Sequence, residues 1–252
     1  MSVYERLLQA ASEKGAGYLV LLDPDKNDEN GLRRAAEQAQ ESGADALLVG
    51  GSLLLTPGFQ AAVRAVRSVA RVPVIIFPGS THQVCAEADA ILFLSLISGR
   101  NPMHLIGLQV IAAPLIKAMG IEAIGTGYIL VESGRMTSAE FMSDTRPIPR
   151  EKPDIAKAHA LAAEYLGMKL VYLEAGSGAQ YPVPDEMVKA VAEYVTVPVV
   201  VGGGIRTPEE AHRKARAGAR FVVIGNVLED RGSPQLLREF ADAIHWRSPV
   251  GA

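Results

Sequence analysis

The chain has 252 residues, a formal net charge of −3 and a single cysteine. Its length suits one α/β barrel or two small domains, and so weak a charge gives neither the basic footprint of a nucleic-acid partner nor a polybasic membrane patch. One cysteine, Cys85, excludes an internal disulfide and a multi-cysteine metal site, and reads as a small buried apolar residue.

In chain order, the N-terminal stretch places Glu5, Arg6, Glu13 and Lys14 in a helical pattern. That is neither a signal peptide nor a transmembrane segment, and a cytoplasmic protein is expected. Residues 18–22 predict a strand that stops at Asp23-Pro24-Asp25-Lys26, because proline cannot donate to a sheet ladder. Leu32, Ala35, Ala36 and Ala39 recur at helical spacing before Gly43, and a strand over 46–49 ends in Gly50-Gly51-Ser52. Strands over 74–77 and 90–94 follow, joined by a segment with Thr81, His82 and Cys85 that is too short for a long helix. Residues 103–119 read as a helix interrupted by Gly107 and Pro114, so a kink or two pieces are expected. A fifth strand lies within 122–131, and the polar, proline-rich stretch 132–153 reads as an insertion, a lid or an oligomer contact.

A helix over 155–166 and a strand over 170–173 lead to Glu174-Ala175-Gly176-Ser177-Gly178. Met187, Val188, Val191, Ala192 and Val195 mark the next helix, and a strand over 199–201 runs into Gly202-Gly203-Gly204. A helix start follows at once: Thr207 can cap the N–H of Glu210, Glu210 can reach back, and Pro208 suits the first helical position. The strand over 221–224 ends in Gly225-Asn226, and Leu236, Leu237, Phe240 and Ile244 mark the last helix. Gly43 and Gly50 bracket one strand as Gly218 and Gly225 bracket another, an internal echo of one βα unit. Eight alternating units without a linker favour a single (β/α)8 TIM barrel over residues 1–252, modified around strands 3 to 5, rather than an open doubly wound sheet.

Such barrels carry their sites at the C-terminal ends of the strands, and the loops after strands 7 and 8 commonly grip a phosphate. Glycines also serve as plain turns, but two glycine loops in consecutive units favour the phosphate site. Asp23 with Ser52 offers hard oxygen ligands from adjacent strands, which suits Mg²⁺ held mainly by substrate phosphates and water, although Asp-Pro by itself is more often a turn former. Glu174 abuts an apolar strand and a glycine loop, where a carboxylate serves either as a general base or as a loop cap, and the residues alone leave both open. His82, His104, His159, His212 and His245 show no ligand spacing and read as solvated or helix-face residues. Lys14, Arg33, Arg34, Lys189 and Arg213 read as ordinary solvated faces, and no Ser-His-Asp or Cys-His pairing suggests a covalent nucleophile.

Six stretches occur together in order: Leu22-Asp23-Pro24-Asp25-Lys26, Val49-Gly50-Gly51-Ser52, Ser98-Gly99-Arg100-Asn101-Pro102, Thr126-Gly127-Tyr128-Ile129-Leu130-Val131, Val171 through Gly178, and Val201-Gly202-Gly203-Gly204-Ile205-Arg206. Over nearly its whole length the chain resembles the geranylgeranylglyceryl phosphate synthases, their group II branch in particular. Gly-Gly-Gly-Ile is shared with many phosphate-binding barrels; Tyr-Leu-Glu-Ala-Gly-Ser-Gly combined with Asp-Pro-Asp-Lys and Arg-Asn-Pro is specific. The resemblance implies an enzyme that joins sn-glycerol 1-phosphate to a polyprenyl diphosphate, usually geranylgeranyl diphosphate, and releases diphosphate. It further implies Mg²⁺ at Asp23 and Ser52, and catalysis by Glu174, as base, with Tyr172. The implied glycerol phosphate site comprises Tyr172, Leu173, Glu174, Ala175, Gly176, Ser177, Gly178, Gly203, Gly204, Gly225 and Asn226. A homo-oligomer, a hexamer in the group II branch, is implied as well.

Two other readings compete. An isomerase of phosphoribosyl compounds would share the glycine loops but would leave Asp23 with Ser52, and Tyr172 with Glu174, unexplained. A non-catalytic barrel scaffold has no need of Asp23, Glu174 and three glycines together.

Overall fold

The computed structural model describes residues 1–225 and 233–247. Eight strands close into one parallel barrel in sequence order: β1 (Gly17–Leu22), β2 (Ala46–Val49), β3 (Val74–Ile76), β4 (Ala90–Leu96), β5 (Glu122–Leu130), β6 (Leu170–Glu174), β7 (Val199–Gly202) and β8 (Phe221–Ile224). Closure falls between β8 and β1, where Tyr18 stands opposite Val222. Parallel strands are covered on both faces, which is why they read as unbroken apolar runs. Successive side chains point to opposite faces, so Leu19, Leu48, Ile75, Leu92, Ile124 and Val200 fill the interior. Val20, Leu47, Ile76, Ile129, Val171 and Val201 pack outward against the helices. The same alternation turns Tyr172 and Glu174 to the inside and Leu173 to the outside.

Helix α1 (Val3–Lys14) closes the N-terminal end of the barrel: Val3, Leu7 and Ala11 join the inner cluster, and Ser2 with Glu5 forms a capping box. Around the barrel run α2 (Glu29–Glu41), α3 (Phe59–Val69), α4 (Leu108–Met119), α5 (Ser138–Ser143), α6 (Pro153–Tyr165), α7 (Asp185–Ala192), α8 (Pro208–Arg216) and α9 (Pro234–Ile244). Helix α8 begins at the expected capping box, with Thr207 Oγ1 accepting from Glu210 N at 3.3 Å and the Glu210 carboxylate accepting from Thr207 N at 3.3 Å. Helix α3 was not anticipated. It buries Phe59, Ala62, Val63 and Val66 on one face, but it starts at a left-handed Gly58 with no side-chain cap, so the usual start signal is missing.

The modification expected around strands 3 to 5 is a gap in the helical layer. Only a 3₁₀ turn, Thr81–Gln83, stands between β3 and β4. Helix α4 is preceded by a π-helical turn, Met103–Gly107, and contains Pro114, matching the interruption read from the sequence.

Two residues read as solvated, His245 and Lys14, are instead tied to the buried Asp45. His245 Nε2 lies 2.8 Å from Asp45 Oδ2, Lys14 Nζ lies 2.5 Å from Oδ1, and Tyr18 N donates to Oδ2 at 2.8 Å. Burial raises the pKa of Asp45, but the hydrogen bond and charge of His245, with Lys14 and the Tyr18 N–H, outweigh it and hold the carboxyl below its ordinary value. Arg213 is likewise paired, with Asp185 at 3.1 Å. Sequence reading missed these pairs because each joins separate elements brought together by barrel closure.

Candidate active site

A cavity of about 820 Å³ occupies the C-terminal mouth of the barrel. On one side it is walled by Ser177, Gly178, Gly203, Gly204 and Gly225, from the loops after β6, β7 and β8. Asp23 and Ser52, after β1 and β2, wall another part. A third arm is apolar, lined by Val84, Ile91, Phe93, Leu108, Ala112 and Ile116. Ile91 and Phe93 project to the outer face of β4, so this arm leaves the barrel interior and runs between β4 and α4, through the gap left where a helix is missing.

Glu174 stands where these parts meet. It is 5% exposed, and Gly176 N donates to its Oε1 at 2.6 Å. Burial pushes its pKa up to about 7, opposed by the Gly176 N–H and the neighbouring phenols of Tyr172 and Tyr128. Both phenols are themselves raised well above their ordinary value, by burial first and then by the Glu174 charge. The Tyr172 hydroxyl is near enough to influence Glu174, yet it is buried and makes no hydrogen bond of good geometry. Beneath the carboxylate, Phe77 stacks on Tyr172 with ring centroids 5.3 Å apart, and Tyr128 meets Tyr172 edge-on at 5.3 Å.

The glycine loops present backbone donors. Gly203 and Gly204 adopt left-handed conformations, φ 82° and 71°, which only glycine takes without strain. Among the described residues, the N–H groups of Gly178, Gly203 and Gly204 donate to no protein acceptor, while these glycines line the cavity. Unpaired donors on one concave wall have the chemistry of an anion cradle. The other expected residues are placed differently: Leu173 faces the helical layer, Ala175 N donates to Gly202 O at 3.0 Å, and Gly176 N holds Glu174. Asn226 lies outside the described residues.

Asp23 Oδ1 accepts from Asp25 N at 3.0 Å, and the carboxylate lies over Gly51, where a Cβ would be 3.5 Å away. Asp25, by contrast, is spent on the neighbouring β2–α3 loop, accepting from Leu55 N at 2.7 Å, from Thr56 N at 3.0 Å and from the Thr56 hydroxyl. Among the described residues no three His, Cys, Asp or Glu side chains cluster to hold a metal. One carboxylate with one hydroxyl at a cavity wall fits Mg²⁺, which keeps waters and takes substrate phosphates as ligands, and would not fit a closed structural metal site.

Sequence reasoning missed Phe77, Arg135 and Arg206 at the cavity and gave Tyr128 no role. Tyr128 was within reach, since it pairs in register with Tyr172 and shares its inward parity. Nothing local marks Arg135 in the insertion, and Arg206, though it ends the stretch from Val201, carries no role in the sequence reading.

A closed parallel barrel that gathers a buried carboxylate, glycine donors and an apolar arm at its C-terminal mouth has the plan of a (β/α)8-barrel enzyme. The PcrB family model matches residues 8–244, and the chain belongs to that family. A geranylgeranylglyceryl phosphate synthase of Chitinophaga pinensis is 42% identical over 98% of both chains, and one of Korarchaeum cryptofilum is 44% identical over 97% of this chain and 99% of its own. The crystal structure of (S)-3-O-geranylgeranylglyceryl phosphate synthase from Thermoplasma acidophilum, in complex with sn-glycerol-1-phosphate, aligns with a TM-score of 0.92 at 36% identity, over 98% of this chain and 100% of that one. Thiamine phosphate pyrophosphorylase from Pyrococcus furiosus, at 15% identity and a TM-score of 0.61, shares the fold alone.

Proposed function

We propose that this chain is a Mg²⁺-dependent prenyltransferase that joins the 3-hydroxyl of sn-glycerol 1-phosphate to the allylic carbon of a polyprenyl diphosphate, geranylgeranyl diphosphate foremost, giving an ether-lipid precursor and diphosphate. The observation that carries the reading is the place of Glu174, a buried carboxylate between an anion cradle and an apolar arm. The relatives named above support it.

In this reading the glycine loops bind the phosphate and turn the free hydroxyl of glycerol toward Glu174. With its pKa raised to about 7, Glu174 is partly ionised at neutral pH and basic enough to take the hydroxyl proton as the oxygen–carbon bond forms and the carbon–diphosphate bond breaks. The hydrogen bond from Gly176 fixes the carboxylate's direction. The apolar arm takes the prenyl tail and excludes water from the allylic carbon, which would otherwise hydrolyse. The rings of Phe77, Tyr128 and Tyr172 offer electron-rich faces to positive charge on the allyl group. Asp23 and Ser52 would hold Mg²⁺, which when bound supplies neutralising charge to the departing diphosphate.

An isomerase of phosphoribosyl compounds would use the cradle but has no use for the apolar arm, and a silent scaffold has no use for a carboxylate buried at such cost. Incubation with sn-glycerol 1-phosphate and prenyl diphosphates of several lengths, followed by product mass measurement, tests the reading. An ether product whose formation requires Mg²⁺ is expected, and hydrolysis alone would refute it.

A further inference from the structure

One loop of the site collects cations from three separate elements. In the β6–α7 connection, the carbonyl of Gly178 accepts from Arg135 Nη2, which comes from the insertion between β5 and α6. The carbonyls of Ala179 and Gln180 accept from Arg206, through Nη2 at 2.6 Å and Nη1 at 2.8 Å. Further along, the carbonyl of Val183 accepts from Lys214 Nζ at 2.6 Å, an ammonium buried on α8 and also paired with Asp185. The loop needs such support, because it contains Gly176 and Gly178, both at positive φ, and glycine stiffens a backbone least.

A loop that binds an anion through an N–H group must keep the neighbouring carbonyls, whose oxygens are negative, turned away from that anion. Cations that occupy three successive carbonyls do this, and leave the unpaired Gly178 N–H at the cavity wall. Arg135 and Arg206 also line that cavity, so their charge acts within it. Lys214 is neutralised by Asp185 and anchors only the far end.

We infer that Arg135 and Arg206 are positioning residues for the anion cradle: by clamping the carbonyls of the β6–α7 loop they set the affinity for sn-glycerol 1-phosphate, and leave the bond-forming step to Glu174. This rests on the function proposed above. The two arginines differ in a testable way. Arg206 spans two carbonyls with one guanidinium, a fork that lysine lacks, whereas Arg135 makes a single bond that a lysine ammonium can replace.

The test is steady-state kinetics with each substrate varied in turn, on wild type and on Arg135→Met, Arg135→Lys, Arg206→Met and Arg206→Lys. Both Met variants should raise the KM for glycerol phosphate by about 10-fold or more, as loss of charge-assisted hydrogen bonds requires. Turnover at saturation should stay within about 3-fold, and the KM for the prenyl donor should not move. Arg135→Lys should recover most of the affinity, and Arg206→Lys should not. An unchanged glycerol phosphate KM in both Met variants, a fall in turnover alone, or equal rescue by lysine at both positions overturns the inference. If the Met variants do not fold, calorimetric titration of inorganic phosphate into the Lys variants decides: binding weakened by Arg206→Lys and kept by Arg135→Lys supports the clamp, and equal affinities overturn it. Wild-type protein that makes no ether product would defeat the proposed function, while the phosphate titration would still judge the arginines.

Discussion

The Glu174 carboxylate occupies the space that a side chain at Gly203 would need: a Cβ there would collide with Glu174 Oε1 and lie 2.5 Å from Gly176 N. Gly203 is therefore required as much by the carboxylate as by its own left-handed backbone, φ 82°. Gly203→Ala should displace Glu174 and abolish most turnover. Gly167→Ala is the control, since that glycine has φ 80° but nothing within 4 Å of its would-be Cβ. It should carry only the backbone strain, about 1 kcal/mol, with activity intact. Thermal unfolding and turnover measured on both variants check this, and equal activity loss in the two would contradict it.

Glu174→Gln should lower turnover roughly 10²-fold or more while glycerol phosphate binding changes far less. Wild-type kcat/KM should rise with pH through an apparent pKa near 7, and that limb should be absent from the variant. Stability carries the opposite sign. A carboxyl raised from 4.5 to about 7 binds its proton more tightly in the folded state, so ionising it costs folding free energy as pH rises across that window. The variant should unfold later than wild type at pH 8, by at most about 3 kcal/mol, and the difference should vanish below the unfolded value. Calorimetry, diphosphate release and denaturation at several pH values separate the three effects.

Asp23→Asn should weaken Mg²⁺-dependent turnover with the fold intact, because it removes a carboxylate at the cavity wall and disturbs no core. Asp25→Asn should act differently, loosening the Leu55–Thr56 loop that it holds by three hydrogen bonds, and should raise protease sensitivity there. Titration of activity against Mg²⁺ distinguishes them. An unaltered Mg²⁺ dependence in Asp23→Asn would remove the metal assignment.

At the opposite end of the barrel, Asp45→Asn should destabilise the fold by about 1–3 kcal/mol without altering kinetic constants, since it breaks the buried link to Lys14 and His245. The folded pKa of Asp45 is depressed, so its contribution is present above the unfolded carboxylate value, about 4, and is lost as pH falls through the folded one. Urea unfolding at pH 7 and in acid should show the difference between wild type and variant shrinking in acid.

Helix α4 and the turn before it expose Ile106, Val110, Ile111 and Leu115, and α5 exposes Phe141 and Met142. Apolar groups exposed in such number mark an interface, and we predict a homo-oligomer that covers them. Light scattering should give a mass above that of one chain, reduced by Val110→Glu with Leu115→Glu. A monomeric mass for wild type at micromolar concentration would count against it.

Much of this protein is written locally. β2 and β8 lie where the apolar runs end in glycine, and the capping box of α8 is set by Thr207 and Glu210. These features follow from periodicity, capping and backbone freedom, which act over a few residues and so can be read along the chain. Closure of the barrel decided the rest. It set Glu174 against Gly203, tied Asp25 to the β2–α3 loop, aimed Arg135 and Arg206 at one set of carbonyls, and joined His245 to Asp45 across 200 positions. It also turned a missing helix between β3 and β4 into an apolar arm of the cavity. Those relations depend on strand register and on which elements become neighbours, and both are fixed only when all eight strands pair at once.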